Sequence, residues 1–369
     1  MKTKILLLSL LTFALAACSN EQESVSQVSK DETLVVPLPC RVDTEGYTPA
    51  PKDVTKSGLT KADMPEKIII PVVFHVFGSS QGSGTIDLAR LEKVITWINN
   101  DFHGVRNPGD YHWNGNIVSE FDAVKAVLPE VEFRLAQFDP DGKPHTGLCM
   151  HTAAEGKGGG KGKGLGDSPA GNSYIKKYAW NNKMYMNVYI THTLYGEPSS
   201  DSGVAWPPSM SMTNAGTARV VYNGNFLPGG TYGDKDFTSI ITHEFGHFFN
   251  LKHTFEGGCV AGRPDNNTSG DYCGDTPQAD NQDMSKLQLN CNGVITNYEN
   301  YMNYGVYANW TKDQKDRMIT AMLTEPSRTC LWAAENLKKT LGINGSPTVK
   351  DPATMGDKLD YLDKVVSGK

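Results

Sequence analysis

Eleven consecutive residues constrain this chain more than any other segment: His243-Glu244-Phe245-Gly246-His247-Phe248-Phe249-Asn250-Leu251-Lys252-His253. His243 and His247 are four apart, so on a helix they share one face. Two imidazoles at that spacing can grip a single metal ion, and zinc suits them. Phe237, Ile241, Phe245 and Phe248 fall roughly on the opposite face and are expected to pack into a core. Glu244 neighbours the first histidine, beside the ion and not on it, where it can accept a proton from a metal-activated water. His253 comes six residues after His247, and a helix that simply continued would carry it away from the ion. The chain must therefore turn sharply at residue 250. Such a turn calls for a left-handed residue, usually Gly, with Asn the next best tolerated.

The rest of the chain has the composition of a folded protein. Of 369 residues, 38% are hydrophobic and 21% charged, enough to build a sizeable core. The net charge of -6 gives no electrostatic footprint for nucleic acid, so no nucleic-acid partner is expected. No internal repeats are present. Strands are expected over 67–77, 131–138, 185–190 and 218–222, where β-branched and aromatic residues cluster between turn signals. Asp139-Pro140-Asp141-Gly142 closes the second of them. Leu88, Leu91, Val94, Ile98 and Phe102 recur at helical spacing, predicting a helix from about Ile86 to Phe102. The motif helix is predicted over 237–249 with Asp236 as its cap, and a late helix over 311–323. Gly156 to Gly166 reads as a mobile Gly/Lys-rich surface insertion, since it lacks the order of a phosphate-binding loop. Cys259 to Cys291 is dense in Asn, Asp and Gly, an irregular lobe that needs staples of cysteine or calcium.

The N-terminus is a targeting segment. Lys2 and Lys4 precede an apolar stretch, Ile5 to Ala17, too short for a membrane span. It ends in Leu15-Ala16-Ala17-Cys18, which resembles the lipobox of bacterial lipoproteins and implies acylation of Cys18. Acyl chains there would anchor the protein in a bacterial envelope, at the outer membrane or cell surface. The expected organisation is a signal peptide over 1–17, a tether or pro-segment over 18–64, a main domain over 65–340 and an extension over 341–369. The main domain divides into an upper lobe to about 253 and a lower lobe after it. Apart from Cys18, the exported chain has six cysteines: Cys40, Cys149, Cys259, Cys273, Cys291 and Cys330. Six cysteines allow 15 connectivities, and spacing does not choose among them.

With Asn250 at the glycine position, the motif matches the metzincin signature H-E-x-x-H-x-x-G-x-x-H. Met302, in Asn300-Tyr301-Met302-Asn303-Tyr304, supplies the methionine turn that metzincins place under their metal. His253-Thr254-Phe255, Gly257-Gly258-Cys259, Asp275-Thr276-Pro277, Asp139 to Gly142 with Thr146-Gly147, and Gly203-Val204-Ala205 make the chain resemble the pappalysin family in particular.

The resemblance implies an α+β, zincin-like fold. Its twisted mixed sheet carries backing and active-site helices, above an irregular C-terminal lobe that ends in a helix. It implies zinc on His243, His247 and His253, Glu244 as general base, and Tyr304 supporting the reacting carbonyl. It also implies a substrate-holding edge strand near Gly203 to Trp206, and it favours the Cys259–Cys291 disulfide. The activity implied is that of a secreted, lipid-anchored zinc metalloendopeptidase, a monomer acting on protein or peptide substrates. The competing reading is a non-catalytic surface binding lipoprotein on the same scaffold. Calcium in the Asp-rich stretch 265–283 is a further expectation by analogy. Gly305 to Trp310 lacks the acidic residue and cysteine of arginine-preferring pappalysins, which implies a neutral or apolar specificity pocket. Cys40 is open between three roles: a thiolate that masks the metal, a disulfide with Cys149 or Cys330, and a free thiol.

Overall fold

The computed structural model describes residues 65, 67–81, 84–105, 107, 129–198, 201–228, 239–263, 270–280, 289–297, 299–304 and 307–343. The β-branched run forms strand β1, Lys67–Phe77, buried at every position but Lys67. A strand apolar on both faces belongs inside a covered sheet. One face of β1 (Ile68, Ile70, Val72, Phe74, Val76) enters the main core, while Ile69, Val73 and Phe77 on the other face join three smaller clusters.

After β1 come a short hairpin, β2 (Ser80–Gln81) and β3 (Gly84–Thr85), and helix α1 (Leu88–Phe102). Asp87 caps α1 by accepting from the N–H of Arg90, and Leu91, Val94, Ile98 and Phe102 are buried as their spacing predicts. Strands β4 (Glu130–Leu135), β5 (Leu148–His151), β6 (Met186–Ile190), β7 (Gly203–Ala205) and β8 (Val220–Tyr222) complete the sheet; between them lie helices α2 (Asn172–Tyr178) and α3 (Met210–Ala215). The sheet order is β4-β1-β6-β8-β7, with β5 also on β1. All pairs are parallel except β7 on β8, so β7 is an antiparallel outer edge. The second strand ends at Leu135, short of the expected Phe138, which forms only an isolated bridge to Pro144 at the following turn.

The motif helix, α4, spans Ile240–Phe248. The longer helix and Asp236 cap expected from sequence are corrected: Ser239 is the N-cap, and no side chain makes a capping bond. Asp236 and Phe237 lie outside the described residues. Helix α5 (Lys312–Thr324) opens with a capping box in which Thr311 and Gln314 each satisfy the other's backbone N–H. Helices α6 (Pro326–Thr329) and α7 (Ala334–Leu341) follow, and Leu337, Leu341 and Ile343 pack on Ile69. None of the described helices is long and apolar enough to cross a membrane.

The expectation of a mobile loop at 156–166 is also corrected. Gly162 and Gly166 donate to the carbonyls of Tyr195 and Leu194, at 2.9 and 2.7 Å. Leu165 is fully buried, and its carbonyl accepts from the Arg219 guanidinium at 3.0 Å. The lysines stay exposed, but the backbone is pinned. The lobe after α4 is largely irregular and holds the disulfide Cys259–Cys291. Cys149, Cys273 and Cys330 are free thiols, while Cys18 and Cys40 lie outside the described residues.

Candidate metal centre

Helix α4 is held from behind by Phe245, whose ring stands edge-on to Phe133 at 5.0 Å, and by Thr242, whose hydroxyl donates to the buried Asp101 carboxylate at 2.5 Å. That anchorage turns His243, Glu244 and His247 forward. At the helix end Asn250 adopts φ 80°, the left-handed turn its place in the motif requires. Its N–H donates to His247 O at 2.9 Å, and the next N–H, of Leu251, donates to Gly246 O at 2.9 Å. The chain reverses and returns His253. Asn250 leaves its side-chain NH2 buried and unpartnered. Glycine would relieve both the backbone strain and the stranded amide. Asn250→Gly is therefore expected to stay within about 1 kcal/mol of wild type, and Asn250→Val to lose about 1–2 kcal/mol, by chemical denaturation of zinc-free protein.

The three imidazoles converge. His247 Nε2 lies 3.0 Å from His243 Nε2 and 3.1 Å from His253 Nε2. These short approaches are not hydrogen bonds between rings. His243 Nδ1 faces Tyr301 O at 2.6 Å and His247 Nδ1 faces Leu251 O at 2.9 Å, so the proton of each ring sits on Nδ1 and each Nε2 offers a bare lone pair. Bare lone pairs at this separation ask for a shared cation. Tetrahedral zinc with bonds of about 2.0–2.1 Å would separate its nitrogens by about 3.3 Å, so the donor set fits zinc. Burial lowers the pKa of His247 to about 4 and of His253 to about 3, which keeps the rings neutral and ready to ligate.

Glu244 is fully inside the site. Burial without a cation raises its pKa to about 8; a neighbouring dication would draw it back toward the ionised base. Its carboxylate has room because Gly203 of β7 has no side chain: a Cβ there would stand 2.7 Å from Glu244 Oε1. Gly246 serves similarly beneath the site, where a Cβ would meet Met302 Sδ at 2.5 Å. Met302 is completely buried, and its carbonyl accepts from the N–H of Thr254 at 3.1 Å, tying the methionine turn to the third histidine. Tyr304 is 46% exposed, with its hydroxyl 3.1 Å from His253 Nε2.

Sequence reasoning missed several neighbours. Tyr307 stands edge-on to His243 at 6.0 Å, and its phenol, like that of the buried Tyr222, is pushed well up by burial and by the Glu244 charge. Only the nearness of Tyr307 to Tyr304 in sequence could have hinted at it. The carbonyls of Tyr301 and Leu251, which orient two of the rings, have no side-chain signal at all. Asp271 turns to Thr276 at 2.6 Å and Asp275 to the N–H of Asp313 at 3.0 Å. Among the described residues, no carboxylate cluster gathers to support the calcium expectation.

Residues 170–323 match the family model Peptidase_M43, described as pregnancy-associated plasma protein-A. An extracellular metalloprotease of Sordaria macrospora is 37% identical over 104 residues, covering 26% of this chain and 34% of the relative. One of Colletotrichum graminicola is 30% identical over 129 residues, covering 31% of this chain and 43% of the relative. The match thus spans about a third to two fifths of these relatives' lengths. Among solved structures, mature mirolysin of Tannerella forsythia in complex with a cleaved peptide superposes with a TM-score of 0.53 at 23% identity, over 74% of this chain and 98% of that one. Mirolysin in complex with a small compound gives a TM-score of 0.54 at 22% identity. Residues 170–323 are thus similar to the Peptidase_M43 family, and the fold is like that of the metzincin mirolysin.

Proposed function

We propose that this protein is a secreted zinc metalloendopeptidase, with His243, His247 and His253 as the zinc ligands and Glu244 as the general base. The observation that carries the proposal is the convergence of three Nε2 atoms beside a buried glutamate. Zinc, when bound, supplies a Lewis acid and lowers the pKa of water to about 7. Glu244 takes the proton from that water and delivers it to the departing amine. The short antiparallel edge β7 offers backbone groups to an extended peptide, which would add to the sheet as a further strand. Gly203 at its start brings that peptide against Glu244. Tyr304 donates to the oxygen that gains charge as the carbonyl is attacked. Tyr304→Phe is expected to lower kcat by about 10²-fold with little change in KM, in steady-state assays on one peptide.

The lipid anchor on Cys18, placement in the bacterial envelope, the boundaries of the pro-segment and a monomeric state belong to the same proposal and rest on sequence. The retention of His243, Glu244, His247 and His253 in the sequence favours this reading over a retired binding scaffold. The test is a peptide-library digest by zinc-loaded protein, repeated after chelation and after zinc is restored. Cleavage should vanish and return. No cleavage by the fully loaded protein would refute the proposal.

A further inference from the structure

We infer that Arg317 is a positioning residue for the metal centre: its guanidinium, backed by Tyr272, locks the left-handed turn at Asn250 and so aims His247 and His253. The inference rests on the zinc-site reading above and deepens it.

The peptide unit joining Asn250 to Leu251 is fixed at both ends. Its N–H, on Leu251, donates to Gly246 O at 2.9 Å. Its carbonyl, on Asn250, accepts from the buried Arg317 Nε at 2.8 Å. The next carbonyl, on Leu251, is the one that holds the His247 ring through Nδ1, and His253 follows two residues later. If the 250–251 unit rotated, Leu251 O would leave His247 and the path to His253 would swing with it. The Leu251 N–H bond resists that rotation from inside the turn, and the Arg317 bond resists it from outside. A cation at a helix C-terminus also suits the carbonyls exposed there.

Arg317 has backing of its own. Its guanidinium carbon lies 5.6 Å from the Tyr272 ring centre, and Lys252 Nζ lies 4.8 Å from the same centre. Tyr272 is held at φ 62°, the other non-glycine residue in the left-handed region among those described. It belongs to the segment 271–277, whose Asp-Thr-Pro the sequence marks out but the chemistry does not use. That segment is tied to the start of α5, the helix that carries Arg317. Gly274 N donates to the Asp313 carboxylate at 2.8 Å, and Asp313 N donates to that of Asp275 at 3.0 Å. Tyr272 thus connects this lower-lobe segment to the turn beneath the metal. Arg328 provides a contrast: its Nε caps Phe248 O at 2.8 Å, inside the helix end and short of the turn.

The test uses the full-length protein with Arg317→Met, Arg317→Lys and Arg328→Met. Zinc affinity is read by chelator competition, site geometry by the visible spectrum of the cobalt-substituted protein, and stability by the melting temperature of the metal-free form. Arg317→Met should weaken zinc by about 10–100-fold and alter the cobalt spectrum, and Arg317→Lys should recover part of both. Arg328→Met should lower the melting temperature while leaving affinity and spectrum as in wild type. Wild-type zinc affinity and spectrum in Arg317→Met would overturn the inference, as would zinc loss that merely follows melting temperature in both methionine variants. If Arg317→Met does not fold, Tyr272→Leu replaces it: several-fold weaker zinc supports the inference, and unchanged affinity overturns it. Failure of wild type to bind zinc would instead refute the metal site itself.

Discussion

Replacing Glu244 with Ala is expected to slow peptide cleavage by about 10²–10⁴-fold, the range a positioned general base contributes, while zinc stays bound. The carboxylate is buried against Gly203 and makes no contact that holds the three histidines in place. Their orientation comes from Tyr301 O, Leu251 O and the Asn250 turn, all of which survive the substitution. The loss should therefore fall on kcat, with metal content unchanged. Stopped-flow or steady-state kinetics on one good peptide, paired with metal analysis of the same sample, checks both halves. Activity within a few-fold of wild type would mean that another group moves the proton. Glu244→Gln refines the test, since it keeps the shape and removes the basicity.

His253→Ala is expected to have the second large effect, this time on the metal. His253 is the proposed ligand that the turn delivers and the helix does not, and its ring is stacked on Phe255 at 4.6 Å. Removing it leaves two imidazoles, below the three protein ligands of catalytic zinc sites. Zinc affinity should fall by more than the roughly 100-fold that loss of an outer-sphere partner costs, and cleavage should become undetectable at ordinary zinc concentrations. Competition against a chromophoric chelator measures the first, and added zinc should restore little of the second. Affinity near that of wild type would show that the third ligand is some other group.

Much of this site was legible in the sequence, and the reasons are local. His243 and His247 are set by helical periodicity, and the left-handed turn at Asn250 by the need to return His253. The apolar back of the helix was visible as Ile241, Phe245 and Phe248. What was not legible depends on contacts between distant segments. The helix starts at Ile240 with a buried first turn, and no side-chain cap announces that start. The Gly/Lys loop looked mobile because composition cannot show Tyr195 and Leu194 accepting its N–H groups. The ring-orienting carbonyls of Tyr301 and Leu251 are backbone atoms, invisible to any motif. Gly203 was read as part of an edge strand. Its role in making room for Glu244 appears only when β7 is laid beside the helix.

The central claim is that three imidazoles hold one zinc ion and leave room for an oxygen. Zinc K-edge X-ray absorption on stoichiometrically loaded protein measures this directly. One zinc per chain with three imidazole nitrogens and one oxygen, at about 2.0–2.1 Å, is the expected result. Fewer than three imidazoles, or no zinc retained at one per chain, would contradict it.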